Sequence, residues 1–582
     1  MLLALAGPLA AQQAADAVAP EAPTALAAGH EDAAIDAALR AKAEGRPVEA
    51  HDWMVAAANP LAVAAGARIL ERGGSAVDAM IAVQTVLGLV EPQSSGLGGG
   101  AFLVYWDAAE GRLTTLDGRE TAPLRATPTL FQDEAGAPLK FYDAVVGGRS
   151  VGTPGTPALM ERAYKHWGRL PWPELFDDAI RLATDGFEVS PRLAGLVAGD
   201  AERLARFPAT AAYFLPDGQP IAAGDTLTNM PYALTLRLLA ANGVRSFYMG
   251  KLAGQIVQAV TTAPGNPGVL GQADLALYQV VERPAVCQPY RAFEVCGMGP
   301  PSSGALTLGQ ILGLLDGFDL AALGAQDPQA WRLIGDASRL AFADRGRYMA
   351  DSDYVPVPVK GLLAADYLAE RAALLQGETA LEEVAPGTPD YDHALNWADD
   401  TAIEFPSTSH ISIVDAEGNV LSMTTTIENA FGSRLMVGGF LLNNELTDFS
   451  FRTHADGRPI ANRVEPGKRP RSSMAPTIVM RDGAPVLAIG SPGGSRIIGY
   501  VAQAVIGWAD WGLDVQQALA MPHAVNRFGT YDVETDSQVA GLEALGYEVN
   551  QRELNSGLHA IEIGKTLKGG ADPRREGIAL GQ

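Results

Sequence analysis

With 582 residues, 47% of them hydrophobic and 19% charged, the chain is neither disordered nor fibrous and is long enough for a large buried core. Its formal charge of −24 makes it a poor ligand for nucleic acid or an anionic membrane, because phosphate contacts need clustered Lys and Arg. No run of about 18 apolar residues occurs, so no membrane span is expected, and length alone suggests about four domains.

Met1 to Ala11 is apolar and ends in small side chains before Gln12. It reads as a truncated secretory signal that lacks a basic n-region. Residues 12–46 are Ala-rich, acidic and weakly periodic, and the expectation is a poorly ordered leader. From about Asn59 to Leu89 two helices are predicted, the first ended by Gly73-Gly74 and the second capped by Ser75. Pro92 stops the second, and Gly96-Leu97-Gly98-Gly99-Gly100 follows. AFLVYW then reads as a buried strand and LTTLDGRE as another. A strand, not a helix, follows the glycines, so they offer no helix N-terminus to a pyrophosphate and no dinucleotide site is expected.

Gly148-Arg149-Ser150-Val151-Gly152 fits the G-x-S-x-G pattern of a serine nucleophile elbow. An elbow passes straight from strand to helix, whereas Pro154, Gly155 and Pro157 intervene here. Helical patterns run from about Pro157 to Leu239 and from Leu306 to Leu375. The two cysteines, Cys287 and Cys296, lie in short strand-like runs where they could face each other across a hairpin. A disulfide there would contribute about 2–3 kcal/mol through loop entropy and would suit an exported protein. Neither cysteine has a neighbouring His to make it a nucleophile. The eight histidines show no metal-ligand spacing, and no metal or other cofactor is expected.

Gln376 to Pro406 is polar and acidic and reads as a linker. From Thr408 the pattern changes to strands. HISIVD and VLSMTTT flank the turn Ala416-Glu417-Gly418-Asn419, which puts Thr408 opposite Thr426 to within one register step. FLLNNE, TIVMRDG and PVLAIG read as further strands, and Gly499–Trp508 and Val515–Met521 as helices. Ser491-Pro492-Gly493-Gly494-Ser495 follows PVLAIG, and two adjacent glycines allow consecutive N–H groups to form an oxyanion hole. The element order suits stacked helix and sheet layers better than four separate domains.

Ten segments in order carry a resemblance: SSGLGGGAF, LDGRETAP, GTPGTPALM, GMGPPSSGALTL, ADRGRYMADSDYV, TSHISIVDAEGNVLSMTTT, FGSRLMVGGFLLNNELTDFS, PGKRPRSSMAPTIV, GSPGGSRI and ADPRREG. Together they resemble the γ-glutamyltransferase (glutathione hydrolase) family of N-terminal-nucleophile hydrolases, from about Asn59 to Ala579. The resemblance implies an αββα sandwich made as one precursor. Thr408 would attack the carbonyl of Ser407 and become the first residue of a small subunit, 408–582, paired as a heterodimer with a large subunit, 47–407. A Thr hydroxyl is a weak nucleophile and needs an adjacent base, which the freed α-amine supplies near neutral pH. Before cleavage that nitrogen is an amide and cannot act as one.

By the same resemblance Thr426 would hydrogen-bond Thr408, and Gly493 and Gly494 would form the oxyanion hole. Arg119, Ser472 and Ser473 would hold a substrate α-carboxylate, and Glu445 and Asp448 its ammonium. Glutathione and other γ-glutamyl compounds would be the donors, with water, amino acids or peptides as acceptors, in the periplasm or outside the cell. His410 reads as structural. Two features depart from the family pattern. Many of its transferases carry Asn where this chain has Glu428, which would put a third carboxylate near the ammonium. The segment from Phe451 to Glu465 is shorter than the usual lid loop and has no Tyr. Acylases that act on glutaryl or cephalosporin amides share the plan and are the nearest alternative. A Ser150 hydrolase and an uncleaved binding protein are the more distant ones.

Overall fold

The computed structural model describes residues 33–582 apart from 392, 394, 395, 401, 403 and 406. The truncated signal expected at 1–11, and the leader as far as residue 32, lie outside the described residues. The strands that build the core are, in chain order, β1 (Val48–Ala50), β2 (Met54–Ala57), β3 (Gly100–Asp107), β4 (Arg112–Gly118), β5 (Val281–Arg283), β6 (Val286–Tyr290), β7 (Phe293–Gly297), β8 (Ser409–Val414), β9 (Val420–Thr426), β10 (Thr477–Arg481), β11 (Ala484–Gly490), β12 (His559–Ile563), β13 (Leu567–Ala571) and β14 (Ile578–Gly581). They form two seven-stranded sheets, ordered β14-β2-β8-β9-β3-β4-β5 and β1-β13-β12-β11-β10-β7-β6.

Side-chain alternation sorts these strands into four layers. Met54, Ala56, Val104 and Val420 of the first sheet meet Ile478, Met480, Ala488 and Ile561 of the second. The opposite face of the first sheet, with Val55, Leu103, Ile411 and Met423, packs on helices Pro60–Glu71 and Ala76–Val90. The outer face of the second, with Val295, Val479, Leu487 and Ile489, packs on Gly304–Leu315, Pro328–Tyr348 and Ile497–Ala509. The result is the αββα sandwich. Strands covered on both faces read as near-continuous apolar runs, and β8 and β9 are buried at every position.

The β8–β9 hairpin has the register expected of it, with Ser409 opposite Thr425 and Val414 opposite Val420. The Asp415 carboxylate closes the turn by accepting from the N–H groups of Glu417 (3.1 Å) and Asn419 (3.0 Å), and Gly418 takes φ 81°. The glycine run before β3 has a packing role. Gly100 pairs with Thr426, and a Cβ on Gly99 would overlap the Thr426 carbonyl oxygen.

Three sequence expectations change. Within the supposed leader, Ala33–Ala43 is a helix that buries Ile35, Ala38 and Leu39 at i, i+3 and i+4, and Lys42 donates to the carbonyls of Arg575 (2.6 Å) and Gly577 (2.7 Å). The acidic linker is anchored where described: Trp397 and Phe405 are buried, and Ala380 N–H donates to Leu545 O at 2.8 Å. FLLNNE is a strand only at Phe440–Leu441. Asn443 turns the chain because its side chain takes the N–H groups of Gly152 and Glu445 and donates to the carbonyls of Gly98 and Gly152. A 3-10 turn, Glu445–Asp448, follows.

Cys287 and Cys296 stand directly opposite each other on β6 and β7 and form a disulfide. Among the described residues no helix is long and apolar enough to cross a membrane. Replacing both cysteines by serine is expected to lower unfolding stability by about 2–3 kcal/mol. Urea denaturation of the oxidised protein and of the double variant checks this, and equal midpoints would contradict it.

Candidate active site

Thr408 stands at the entry to β8, buried, at φ 119°. For a β-branched residue this is a strained conformation, costing of order 1–3 kcal/mol, and it falls next to the bond where the family resemblance leads one to expect cleavage. The register carries Thr426 opposite, and Thr408 Oγ1 donates to Thr426 Oγ1 at 3.2 Å. Thr426 Oγ1 also accepts the N–H of Glu428 at 2.8 Å, which fixes the second hydroxyl. Arg575 Nη1 donates to the Thr408 carbonyl at 3.3 Å, and Ser407 Oγ donates to Gln93 O at 3.0 Å. The residues on both sides of the bond are therefore anchored.

Thr408 and Thr426 open into a cavity that is also lined by Arg119, Glu428, Glu445, Asp448, Ser472, Ser473 and Gly494. Gly494, at φ 59°, touches the preceding chain: a Cβ there would come within 2.6 Å of the Phe405 carbonyl group. Gly493, at φ 136°, lies just outside the lining, against the Tyr500 ring. Ser472 is held from behind, its carbonyl accepting both N–H and Oγ–H of Ser303 at 2.7 Å.

The acidic end is unusual. Arg119 is fully buried and spends one terminal nitrogen on Glu445 and the other on Asp448. Its remaining bonds go to the carbonyls of Pro470 and Arg471. Each acid keeps its other oxygen, Glu445 Oε2 and Asp448 Oδ1, buried and without a hydrogen-bond partner among the described residues. Glu428 and Glu120 complete the cluster. One guanidinium cannot offset four buried carboxylates, so the cluster retains protons. Burial first, and then the charge of Glu445, pushes Glu428 up to about 8 and Glu120 well above the usual carboxylate range. Burial works against the Arg119 charge, but Glu445 and Asp448 outweigh it and hold the guanidinium protonated.

The chain just before Thr408 fills the rest of the cavity. Phe405 stacks on Phe141 with ring centroids 3.8 Å apart, and its N–H donates to Glu428 Oε1 at 3.2 Å. Glu404 pairs with Arg345 and, at 3.5 Å, with Arg471. Burial would raise the Glu404 carboxyl, yet these two arginines hold it below its usual range. What remains is a cavity of about 20 Å³, room for a single water.

Ser150 is not an elbow. It is fully buried, its Oγ donates to Val145 O at 2.6 Å, and the next helix begins only at Thr156. His410 is buried between Thr424 Oγ1 (2.9 Å) and Ser412 Oγ (3.1 Å), and burial followed by the nearby His559 keeps it neutral. The segment from Phe451 to Glu465 forms a small hairpin, tied back where Asn462 donates to Asp448 O at 2.8 Å. Sequence reasoning assigned no role to Glu404, Arg345, Arg471, Arg575 or Glu120. Four of these lie inside the ten segments that carry the resemblance and Glu404 lies four residues before Thr408, but nothing in their spacing shows that they converge.

The family described as Gamma-glutamyltranspeptidase matches over residues 62–582. The chain is 36% identical over 547 residues to the Glutathione hydrolase proenzyme of Bacillus subtilis (strain 168), covering 91% of each. It is 35% identical over 551 residues to the Acylase ACY 1 proenzyme of Pseudomonas sp. (strain V22), covering 92% of this chain and 95% of that one. The crystal structure of cephalosporin acylase from Bacillus halodurans matches with a TM-score of 0.81 at 27% identity, covering 92% of this chain and 97% of that one.

The protonated Glu428 gives a pH-dependent stability. Its folded value is raised from about 4.5 to about 8, so the folded chain keeps a proton that the unfolded chain has lost. Stability should fall as pH rises through that window. In a Thr408→Ala background, Glu428→Gln is expected to flatten the decline of melting temperature between pH 4.5 and 8. Identical slopes with and without Glu428 would contradict the assignment.

Proposed function

The chain belongs to the gamma-glutamyltranspeptidase family and is an enzyme of its glutathione hydrolase kind, and we propose that Thr408 is its nucleophile, freed as an N-terminus by self-cleavage after Ser407. The observation that carries this is the pairing of Thr408 Oγ1 with Thr426 Oγ1 at a strained backbone position on a buried cavity. Thr408 Oγ attacks the Ser407 carbonyl, and the peptide nitrogen becomes an amine as the acyl group moves to oxygen. Water then hydrolyses the ester, leaving a carboxylate on Ser407 and an α-amine on Thr408. The large and small subunits stay packed as a heterodimer, because β8 and β9 lie inside a sheet whose neighbours β2 and β3 come from the other subunit.

In turnover the α-amine takes the proton from Oγ, and Oγ attacks the γ-carbonyl of the donor. The developing oxyanion lies at Gly493 and Gly494. The leaving amine takes the proton, and a γ-glutamyl–Thr408 ester remains. Water or the amine of an amino acid or peptide then resolves it. The free oxygens of Glu445 and Asp448, with Glu428 beside them, suit an ammonium group. Arg119, beside this acidic pair, and the hydroxyls of Ser472 and Ser473 suit the substrate α-carboxylate. These unsatisfied acid oxygens favour a γ-glutamyl group over a glutaryl group, which has no ammonium. The hairpin disulfide supports an exported enzyme, periplasmic or secreted.

Thr408→Ala is expected to leave one intact chain and to lower turnover of γ-glutamyl-p-nitroanilide by about 10³-fold or more. The wild type should prefer that donor to glutaryl-p-nitroanilide, and added glycylglycine should accelerate nitroaniline release. A preference for glutaryl would favour the acylase reading instead.

A further inference from the structure

Cleavage removes one of the anchors on Thr408. In the continuous chain Thr408 is held through Ser407, whose Oγ donates to Gln93 O at 3.0 Å. Once the Ser407–Thr408 bond is broken, that hold no longer reaches the nucleophile. The α-amine and Oγ then sit on a chain end, which is ordinarily the least ordered part of a fold. Whatever keeps the backbone of Thr408 in place must act from its C-terminal side, through its own carbonyl or through Ser409.

Ser409 opens β8 and is fully buried. Its Oγ donates to Glu91 Oε2 at 3.0 Å. Glu91 is buried at the end of helix Ala76–Val90, and its other oxygen, Oε1, lies 2.6 Å from Nη1 of the buried Arg192. Each oxygen of Glu91 therefore has its own donor. Arg192 stands in the first turn of helix Pro191–Leu204, whose cap, Ser190, accepts the N–H of Leu193 at 3.1 Å. The loop that follows Glu91 also reaches the second threonine. Ser94 O accepts the N–H of Ile427 at 3.2 Å, and Gly100 pairs with Thr426. None of these contacts crosses the bond that is cut, and Glu91 has no place in the turnover scheme above.

We propose that Glu91, from the large subunit, is a positioning residue for the nucleophile of the small one. It takes the Ser409 hydroxyl and so keeps the freed α-amine and Oγ of Thr408 aimed into the cavity after cleavage. This rests on the reading of Thr408 as nucleophile. Glu91 is steadied by Arg192 and acts only through Ser409. Arg575 holds the same peptide from the small subunit, through the longer bond of 3.3 Å to the Thr408 carbonyl. The demand is geometric, because an error of about 1 Å in placing a reacting group costs on the order of 10²-fold in rate.

The test uses the mature two-chain enzyme. Its kcat/KM for γ-glutamyl-p-nitroanilide reports attack by Thr408, and the inhibition constant of glutamate reports binding. Ser409→Ala is expected to lower kcat/KM about tenfold and to leave the inhibition constant within about twofold. Glu91→Gln has one amide oxygen for two donors and is expected to lower kcat/KM in the same way. The double variant should lie within about twofold of the lower single variant, because both changes break one link. A variant that melts cooperatively yet stays uncut also supports the assignment, since cleavage is the same hydroxyl's attack on Ser407. Wild-type kcat/KM in Ser409→Ala, a parallel rise in the glutamate inhibition constant, or multiplying losses in the double variant would overturn it. So would the loss of cooperative melting in both single variants, which would make the contact a structural one. If instead Thr408→Ala still matures and turns over the donor, it is the underlying nucleophile reading that fails.

Discussion

The site depends on one backbone register. The β8–β9 hairpin lies inside a sheet covered on both faces, where a slip of one residue would exchange the side chains packed on the helices with those packed on the second sheet. That penalty fixes Ser409 against Thr425 and brings two threonine hydroxyls to 3.2 Å at the open end of the ladder. The turn chemistry of Asp415 and Gly418 sets the same register from the other end. The glycines before β3 allow a backbone to lie against Thr426 so closely that no side chain fits between.

Around this pair the charges are arranged in two opposed groups. Acids outnumber cations at Arg119, whereas Arg345 and Arg471 are matched by Glu404 and Asp400. The net charge of −24 sets the far field, whereas buried side chains set the charge inside the cavity. Burial and the charge of Arg471 lower the Arg345 guanidinium to about 10, which leaves it charged at neutral pH.

Much of the layered core was legible in the sequence, because apolar runs and turn residues report strands covered on both faces. The Thr408–Thr426 pairing followed from counting residues across a four-residue turn. The roles expected of Gly493 and Gly494 came from the glycine pair and the family resemblance, and those of Glu445 and Asp448 from the resemblance alone, none of them from periodicity. What stayed hidden has physical causes. Ala33–Ala43 is a weak amphipath whose helix is secured by Lys42 and by packing on the far end of the chain. FLLNNE has strand-like composition, but Asn443 satisfies its backbone neighbours from the side chain and turns the chain instead. The Arg345–Arg471–Glu404 cluster joins three distant segments, and no local pattern encodes such a meeting.

The central claim is that this chain makes its own catalyst by breaking one bond. Denaturing intact-mass spectrometry of the purified wild-type protein tests it most directly. The account predicts two chains, one of which is the fragment Thr408–Gln582 with a free threonine amine. A single unbroken chain, or a cut at any other bond, would contradict it.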